Sequence, residues 1–151
     1  MKIASIIGAR PQFIKASPVS AKINSTSSIT EMIIHTGQHY EAKMSDIFFD
    51  EMHIPKPKYN LNINQMEYEP MVEKMSNEIC KLLLKENING VLVYGDTTST
   101  LAGSLSAKKM DVPLFHVEAG LRSFDRSMLE ENNRIITDHL SSLLFCPSNN
   151  M

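Results

Sequence analysis
Nothing in this chain is long and apolar enough to read as a membrane span. The N-terminal stretch from Met1 to Gly8 is apolar but stops after one strand length, too short for a signal-peptide core. No other apolar run approaches about 18 residues, so the cytoplasm is the default compartment. An excess of one charge is also missing. Fifteen Lys and Arg against 17 Asp and Glu give a net charge of −2, which offers no general attraction for nucleic acid or an anionic membrane. Any phosphate site must therefore be local. Cysteine is scarce, and Cys80 and Cys146 lack CxxC or Cys/His ligand spacing; they read as two reduced, buried thiols. Neither a GxGxxG fingerprint nor a Walker A loop is present, which removes the usual NAD and ATP motifs. What remains is the make-up of a globular domain. At 151 residues, 42% hydrophobic and 21% charged, the chain can bury a core. It shows no internal repeat, low-complexity segment or linker, so 1–151 is expected to be a single domain.

Strand and helix signals alternate along it. Lys2 to Ile7 reads as a buried strand ended by Gly8, followed by a helix from Gln12 to about Ile23. Pro11 suits the first helical position, while Pro18 predicts a kink or break. Met32 to His35 is a second strand. Ser45 to Met52 is a helix with Ile47, Phe48 and Met52 at helical spacing, and Tyr59 to Ile63 is an exposed strand. Pro70 to Lys85 is a long helix striped by Met71, Met75, Ile79, Leu82 and Leu83. Val91 to Tyr94 is the next strand; Thr97 or Thr98 caps a helix whose Gly103 and alanines form a small face. Leu114 to Val117 is a strand, and Glu130 to about Ser142 a helix with Ile135, Ile136 and Leu140 inward. Leu143 to Cys146 is a final buried strand. This order predicts an α/β fold: a three-layer, Rossmann-like parallel sheet, doubly wound. The sequence ends five residues past that strand with no helix to cover it, so the chain is expected to be half of something.

In such sheets ligands bind outside the carboxyl ends of the strands, and the unusual residues fall there. After the first strand come Gly8, which permits close backbone approach, a helix start with free N–H groups, and Arg10 with Lys15 one turn on. These suit a phosphate; the other reading is two solvated cations. After the second strand, His39 either donates to an oxygen-rich ligand or acts as an acid, or else merely caps a helix or packs in a loop; His35 reads as structural and His53 as surface. Asp96 is either an ordinary helix cap or, if Thr97 or Thr98 caps, a free carboxylate at the sheet edge. Glu118 ends a buried strand and needs a partner, with Arg122 and His116 the obvious ones. Glu130 and Glu131 open a helix, where the macrodipole favours acids. Three acids without a metal-binding histidine pattern suggest proton transfer. Inverting a stereocentre needs a base on one face and an acid on the other.

Gly8-Ala-Arg-Pro11, Thr36-Gly-Gln-His39, Gly95-Asp-Thr97, His116-Val-Glu-Ala-Gly-Leu-Arg122 and Glu130-Glu-Asn-Asn-Arg134 occur in order and at characteristic spacing. Together they closely resemble the non-hydrolysing UDP-N-acetylglucosamine 2-epimerases, and the resemblance spans the N-terminal half of that family. It implies a glycosyltransferase-B-type architecture, of which this chain is the N-terminal domain, with UDP-GlcNAc in the cleft between two halves. The implied reaction converts UDP-GlcNAc to UDP-ManNAc by elimination of UDP to 2-acetamidoglucal and re-addition, without metal or nicotinamide. The resemblance carries acid/base roles to Asp96, Glu118 and Glu130. It carries substrate contacts to Arg10, Lys15, His39, Arg122 and Arg134, and a second, activating nucleotide-sugar site to Gln38 and His39. It also implies UDP-GlcNAc and UDP as ligands and a homodimer, while the charge balance and the lack of a long apolar run leave no nucleic-acid or membrane partner expected. Two departures follow. The family's proline before the paired glutamates is Leu129 here, which loosens the start of that helix. The C-terminal UDP-binding domain is absent from the sequence, so the isolated chain is expected to be inactive or nearly so unless a separate C-terminal half joins it. Other expectations kept open are a transferase half of the same architecture, a non-catalytic sugar-nucleotide-binding remnant or partner subunit, and a hydrolysing relative.

Overall fold
The computed structural model describes residues 1–39 and 42–148. Among the described residues six strands, β1 (Lys2–Ile7), β2 (Thr30–His35), β3 (Tyr59–Asn60), β4 (Gly90–Tyr94), β5 (Leu114–Val117) and β6 (Leu143–Phe145), form one sheet. Its order is β3-β2-β1-β4-β5-β6, and every pairing is parallel. The described residues connect them through helices α1 (Arg10–Asn24), α2 (Ala42–Glu51), α3 (Tyr68–Lys85), α4 (Thr98–Lys109) and α5 (Leu129–Leu140). The predicted doubly wound α/β fold is therefore the observed one.

Alternation along the strands sorts the core into two layers. Ala4, Ile6, Val91 and Val93 pack with Met71, Met75, Ile79 and Leu83 of α3 and with Ala102 and Ala107 of α4. Ile3, Ile7, Ile33, Leu92 and Tyr94 pack on the other face with Phe13 and Ala16 of α1 and Phe49 of α2. Gly103 lets α4 settle on the sheet: a Cβ there would lie 2.9 Å from Val93 and 3.1 Å from Ile6. At the amino end of the sheet, Glu86 joins β1, β3 and α3. It accepts from Tyr59 Oη at 2.5 Å and pairs with Lys2 and Lys58 at 2.9 Å. Those hydrogen bonds, Tyr59's foremost, hold its carboxyl down at about 2.

Several expectations need correction. Pro18 does not break α1; it lies on the exposed side, so the carbonyl it leaves without an intrahelical donor faces solvent. The third strand is two residues long, because Asn62 takes a left-handed φ of 53° and turns Ile63 into the core. In α2 it is Phe49 that is buried while Ile47 is exposed; the side chain of Phe48 lies outside the described residues. Ile136 of α5 is exposed rather than inward. The final strand is not buried: Leu143, Leu144 and Phe145 are 49%, 43% and 48% exposed, since β6 is an edge strand paired with β5 alone among the described residues. Both thiols are free, but Cys80 is half-buried and Cys146 exposed beyond that same edge, so neither is a core residue.

Candidate active site
The chain reverses its direction of strand addition between β1 and β4. Parallel strands diverge from their connections there, leaving a crevice at their carboxyl ends. Gly8 leaves β1 at this point and Gly95-Asp96 leaves β4. The close approach at Gly8 is internal, since a Cβ would sit 2.0 Å from Thr36 Oγ1 and 2.4 Å from Ser99 Oγ. Gln12, buried in the first turn of α1, holds the two strand ends together. Its Oε1 accepts from the amides of Gly8 and Ala9 at 2.8 and 2.9 Å, and its Nε2 donates to Tyr94 O at 3.0 Å and Thr97 Oγ1 at 2.9 Å. Two of the amides expected to be free for a phosphate are therefore already bonded.

Thr97 caps α4, exchanging bonds with Thr100: its Oγ1 accepts from Thr100 N at 3.2 Å, and its own amide donates to Thr100 Oγ1 at 3.1 Å. That leaves the Asp96 carboxylate at the crevice, where Arg134 Nη2 meets it at 3.1 Å. The Asp96 carbonyl accepts from Asn133 Nδ2 at 2.9 Å, and Asn133 Oδ1 in turn accepts from Tyr68 Oη. Burial, then the charges of Glu130 and Glu69, raise the Tyr68 phenol above its ordinary range, which keeps it a donor.

Glu118 does not pair with Arg122 or His116. Its carboxylate meets Lys15 Nζ at 2.6 Å, and that ammonium lies within 3.4 Å of where a Gly95 Cβ would be. The reason is geometric: Glu118 takes a left-handed φ of 67°, and its side chain reaches the amine on α1. Arg122 and His116 instead share Asp138 of α5, with N···O distances of 2.7 Å each. Arg134 also lies 3.7 Å from Glu131. Glu131 is fully buried and accepts from both the amide and hydroxyl of Ser123, and the Ser123 hydroxyl chiefly holds its carboxyl below the ordinary range.

Lys15, Asp96, Glu118 and Arg134 thus come together around Gly95, while Arg122 lies on the Asp138 side of the same crevice. Glu130, Arg10 and His39 are exposed; Glu130 makes its influence felt through the Tyr68 phenol. Gln38 is committed through Oε1 to Ser99, at 2.6 Å from the hydroxyl and 3.1 Å from the amide. Among the described residues no group of three His, Cys, Asp or Glu side chains is arranged to hold a metal. Gln12, Asn133 and Asp138 were not anticipated from the sequence. A signal for the last existed: Glu131, Arg134 and Asp138 stand at i, i+3 and i+7, a polar stripe on one face of α5.

Comparison with known proteins agrees with this fold. The profile of the family described as UDP-N-acetylglucosamine 2-epimerase matches residues 21–151. A UDP-2,3-diacetamido-2,3-dideoxy-D-glucuronate 2-epimerase of Pseudomonas aeruginosa is 56% identical over 98% of the chain and 42% of its own length. A UDP-N-acetylglucosamine 2-epimerase of Methanocaldococcus jannaschii is 51% identical over 98% of the chain and 40% of its own. The crystal structure of the M. jannaschii UDP-GlcNAc 2-epimerase in complex with UDP-GlcNAc and UDP superposes with a TM-score of 0.94 at 51% identity, over 98% of this chain and 41% of that one. That from Neisseria meningitidis bound to UDP-GlcNAc gives 0.92 at 33%, over 99% and 41%. The chain spans about two fifths of the length of the curated relatives it matches.

Proposed function
Since this chain belongs to the UDP-N-acetylglucosamine 2-epimerase family, we propose that it forms the N-terminal wall of a cytoplasmic nucleotide-sugar 2-epimerase site. In that reading one carboxylate removes the proton at C2 of UDP-GlcNAc, UDP leaves from C1, and 2-acetamidoglucal stays bound. UDP then returns as C2 is reprotonated on the opposite face, giving UDP-ManNAc. Asp96, Glu118 and Glu130 exchange the protons; Arg10, Lys15, Arg122, Arg134 and His39 bind the sugar nucleotide. The observation that carries the reading is the pairing of two crevice carboxylates, Asp96 and Glu118, with Arg134 and Lys15. Each cation holds its acid's oxygens in place at the mouth of the crevice, where a carboxylate can meet a substrate proton. Solvent deuterium appearing at C2 in heavy water tests it; transfer of the sugar to an acceptor without C2 exchange would instead favour a transferase of the same architecture.

Gln38 and His39 are assigned to a second nucleotide-sugar that activates the enzyme. The two walls of the site must close to hold reacting atoms in place, so this chain alone is expected to turn over little or no substrate. Activity regained on mixing with a C-terminal half would support its role as one half of a site, and turnover by the chain alone would overturn that part. The family's homodimer is expected as well.

A second reading concerns the sugar. The P. aeruginosa relative, 56% identical, is named for a diacetamido-glucuronate, and a uronate would add one more carboxylate to be met by the crevice cations. Parallel product analysis with UDP-GlcNAc and the diacetamido-uronate decides between the two substrates.

A further inference from the structure
Asp138 lies outside the set of residues assigned to the reaction, yet both loops that carry the crevice acids converge on it. Its side chain is 7% exposed. Oδ1 lies 2.7 Å from His116 Nδ1, while Oδ2 accepts from Gly120 N at 3.1 Å and Arg122 Nη1 at 2.7 Å. On the far side of the ring, His116 Nε2 lies 2.7 Å from Gly95 O. Gly95 immediately precedes Asp96, and Gly120 follows Glu118 by two residues. Both glycines take left-handed φ values, 67° and 82°, and so does Glu118, so the two turns need outside fixing.

We propose that Asp138, acting through His116, is a positioning residue that sets the backbone from which both Asp96 and Glu118 project, and that His116 donates from both ring nitrogens in doing so. Its role in catalysis rests on the assignment of those two acids above; its geometry does not. A carbonyl oxygen only accepts, so His116 Nε2 carries a proton toward Gly95. Asp138 Oδ2 already accepts from an arginine and a backbone amide, and a carboxylate only accepts. The contact at Nδ1 therefore needs a second ring proton, since two lone pairs would otherwise meet at 2.7 Å. Among the described residues, the charged groups bonded to the ring and then to its partner are Asp138 and, behind it, Arg122. The resulting imidazolium–carboxylate–guanidinium row runs from the β4 turn across α5 to the loop after β5. Loss of the central charge should release both turns at once, without touching either acid.

The test is made on the chain as it stands, without substrate. Nitrogen-15 spectra of histidine-labelled protein at neutral pH should show His116 with a proton on each ring nitrogen. Asp138→Asn should convert it to a ring protonated on Nε2 alone. Amide exchange at Gly95, Asp96 and Gly120 should then quicken by about tenfold or more, while Ile6 and Val93 in the strands keep their protection. A general loss of structure would quicken all of these together. The proposal is overturned if wild-type His116 has one bare nitrogen, an observation that needs no variant. It is equally overturned if Asp138→Asn leaves the two turns as protected as before. Because no sugar is involved, absence of C2 exchange would defeat the epimerase reading and leave these outcomes standing.

Discussion

At Gly8 the absence of a side chain is a matter of contact. The position faces two hydroxyls, Thr36 Oγ1 and Ser99 Oγ, that bond each other at 2.7 Å, and Ser99 continues to Gln38. Gly8→Ala would push its Cβ between them, to 2.0 and 2.4 Å. Overpacking of this kind costs about 1–3 kcal/mol, read as a lower urea midpoint; an unchanged midpoint would show that the loop gives way freely. His35 offers a prediction in pH. It is buried against Phe13, with ring centroids 5.3 Å apart, and its Nδ1 accepts from Gly37 N at 2.8 Å. Burial lowers its pKa from 6.5 to about 4. The unfolded chain therefore binds this proton first as pH falls. The stability that neutral His35 contributes is complete above 6.5 and lost between there and about 4, with a slope of up to about 1.4 kcal/mol per pH unit. Denaturation at pH 7 and pH 5 measures it. His35→Phe, which cannot titrate, should start less stable, having lost the bond to Gly37, but should lose less on going to pH 5.

Helix α5 shows where reading a pattern succeeds and where it misleads. Its sequence reads as a helix from Glu130 to about Ser142 against the observed Leu129–Leu140, and its inward face reads as Ile135, Ile136 and Leu140. Of these Ile136 is exposed, and the fully buried side chains are Glu131, Asn133 and Thr137. An apolar stripe identifies a core face only when a helix lies on the middle of a sheet. This helix begins by the carboxyl ends, where turns present carbonyls, amides and carboxylates that need polar partners. Asn133 and Asp138 supply such partners, and no count of apolar residues would find them. The start of α5 supports a sharper prediction. Its first residue is Leu129, 49% exposed, with no side-chain cap before it, and Met128 has φ −80° and ψ 128°. That extended conformation is the one a residue before proline prefers, and the first helical N–H has no intrahelical acceptor to lose. Leu129→Pro should therefore raise stability by about 0.4–1 kcal/mol, mainly by restricting the unfolded chain. The denaturant midpoint should rise with the slope unchanged; a fall would mean that the backbone at 128–129 does not accept the ring.

Over the whole molecule, alternating strand and helix signals were enough for a parallel three-layer sheet, and acids at strand ends were enough to find the crevice. Partner choice was not legible, because it depends on which ends lie side by side: Lys15 reaches Glu118 only because β4 separates β1 from β5 by a single strand. The same limit explains β6. Three consecutive apolar residues mark a strand covered on both faces, and sequence cannot say whether the cover is within reach. Here Leu143, Leu144 and Phe145 stay about half exposed, and one edge of β6 has no strand partner among the described residues. An apolar strand with an open edge is a template for pairing with another chain. The chain should therefore associate with itself as concentration rises, visible as a growing weight-average mass in sedimentation velocity. Leu144→Lys should suppress this while changing stability by no more than about 0.5 kcal/mol, since the side chain it replaces is already largely in water. Equal association by the variant would place the contact elsewhere, and a concentration-independent monomer would show that the edge is adequately protected as it is.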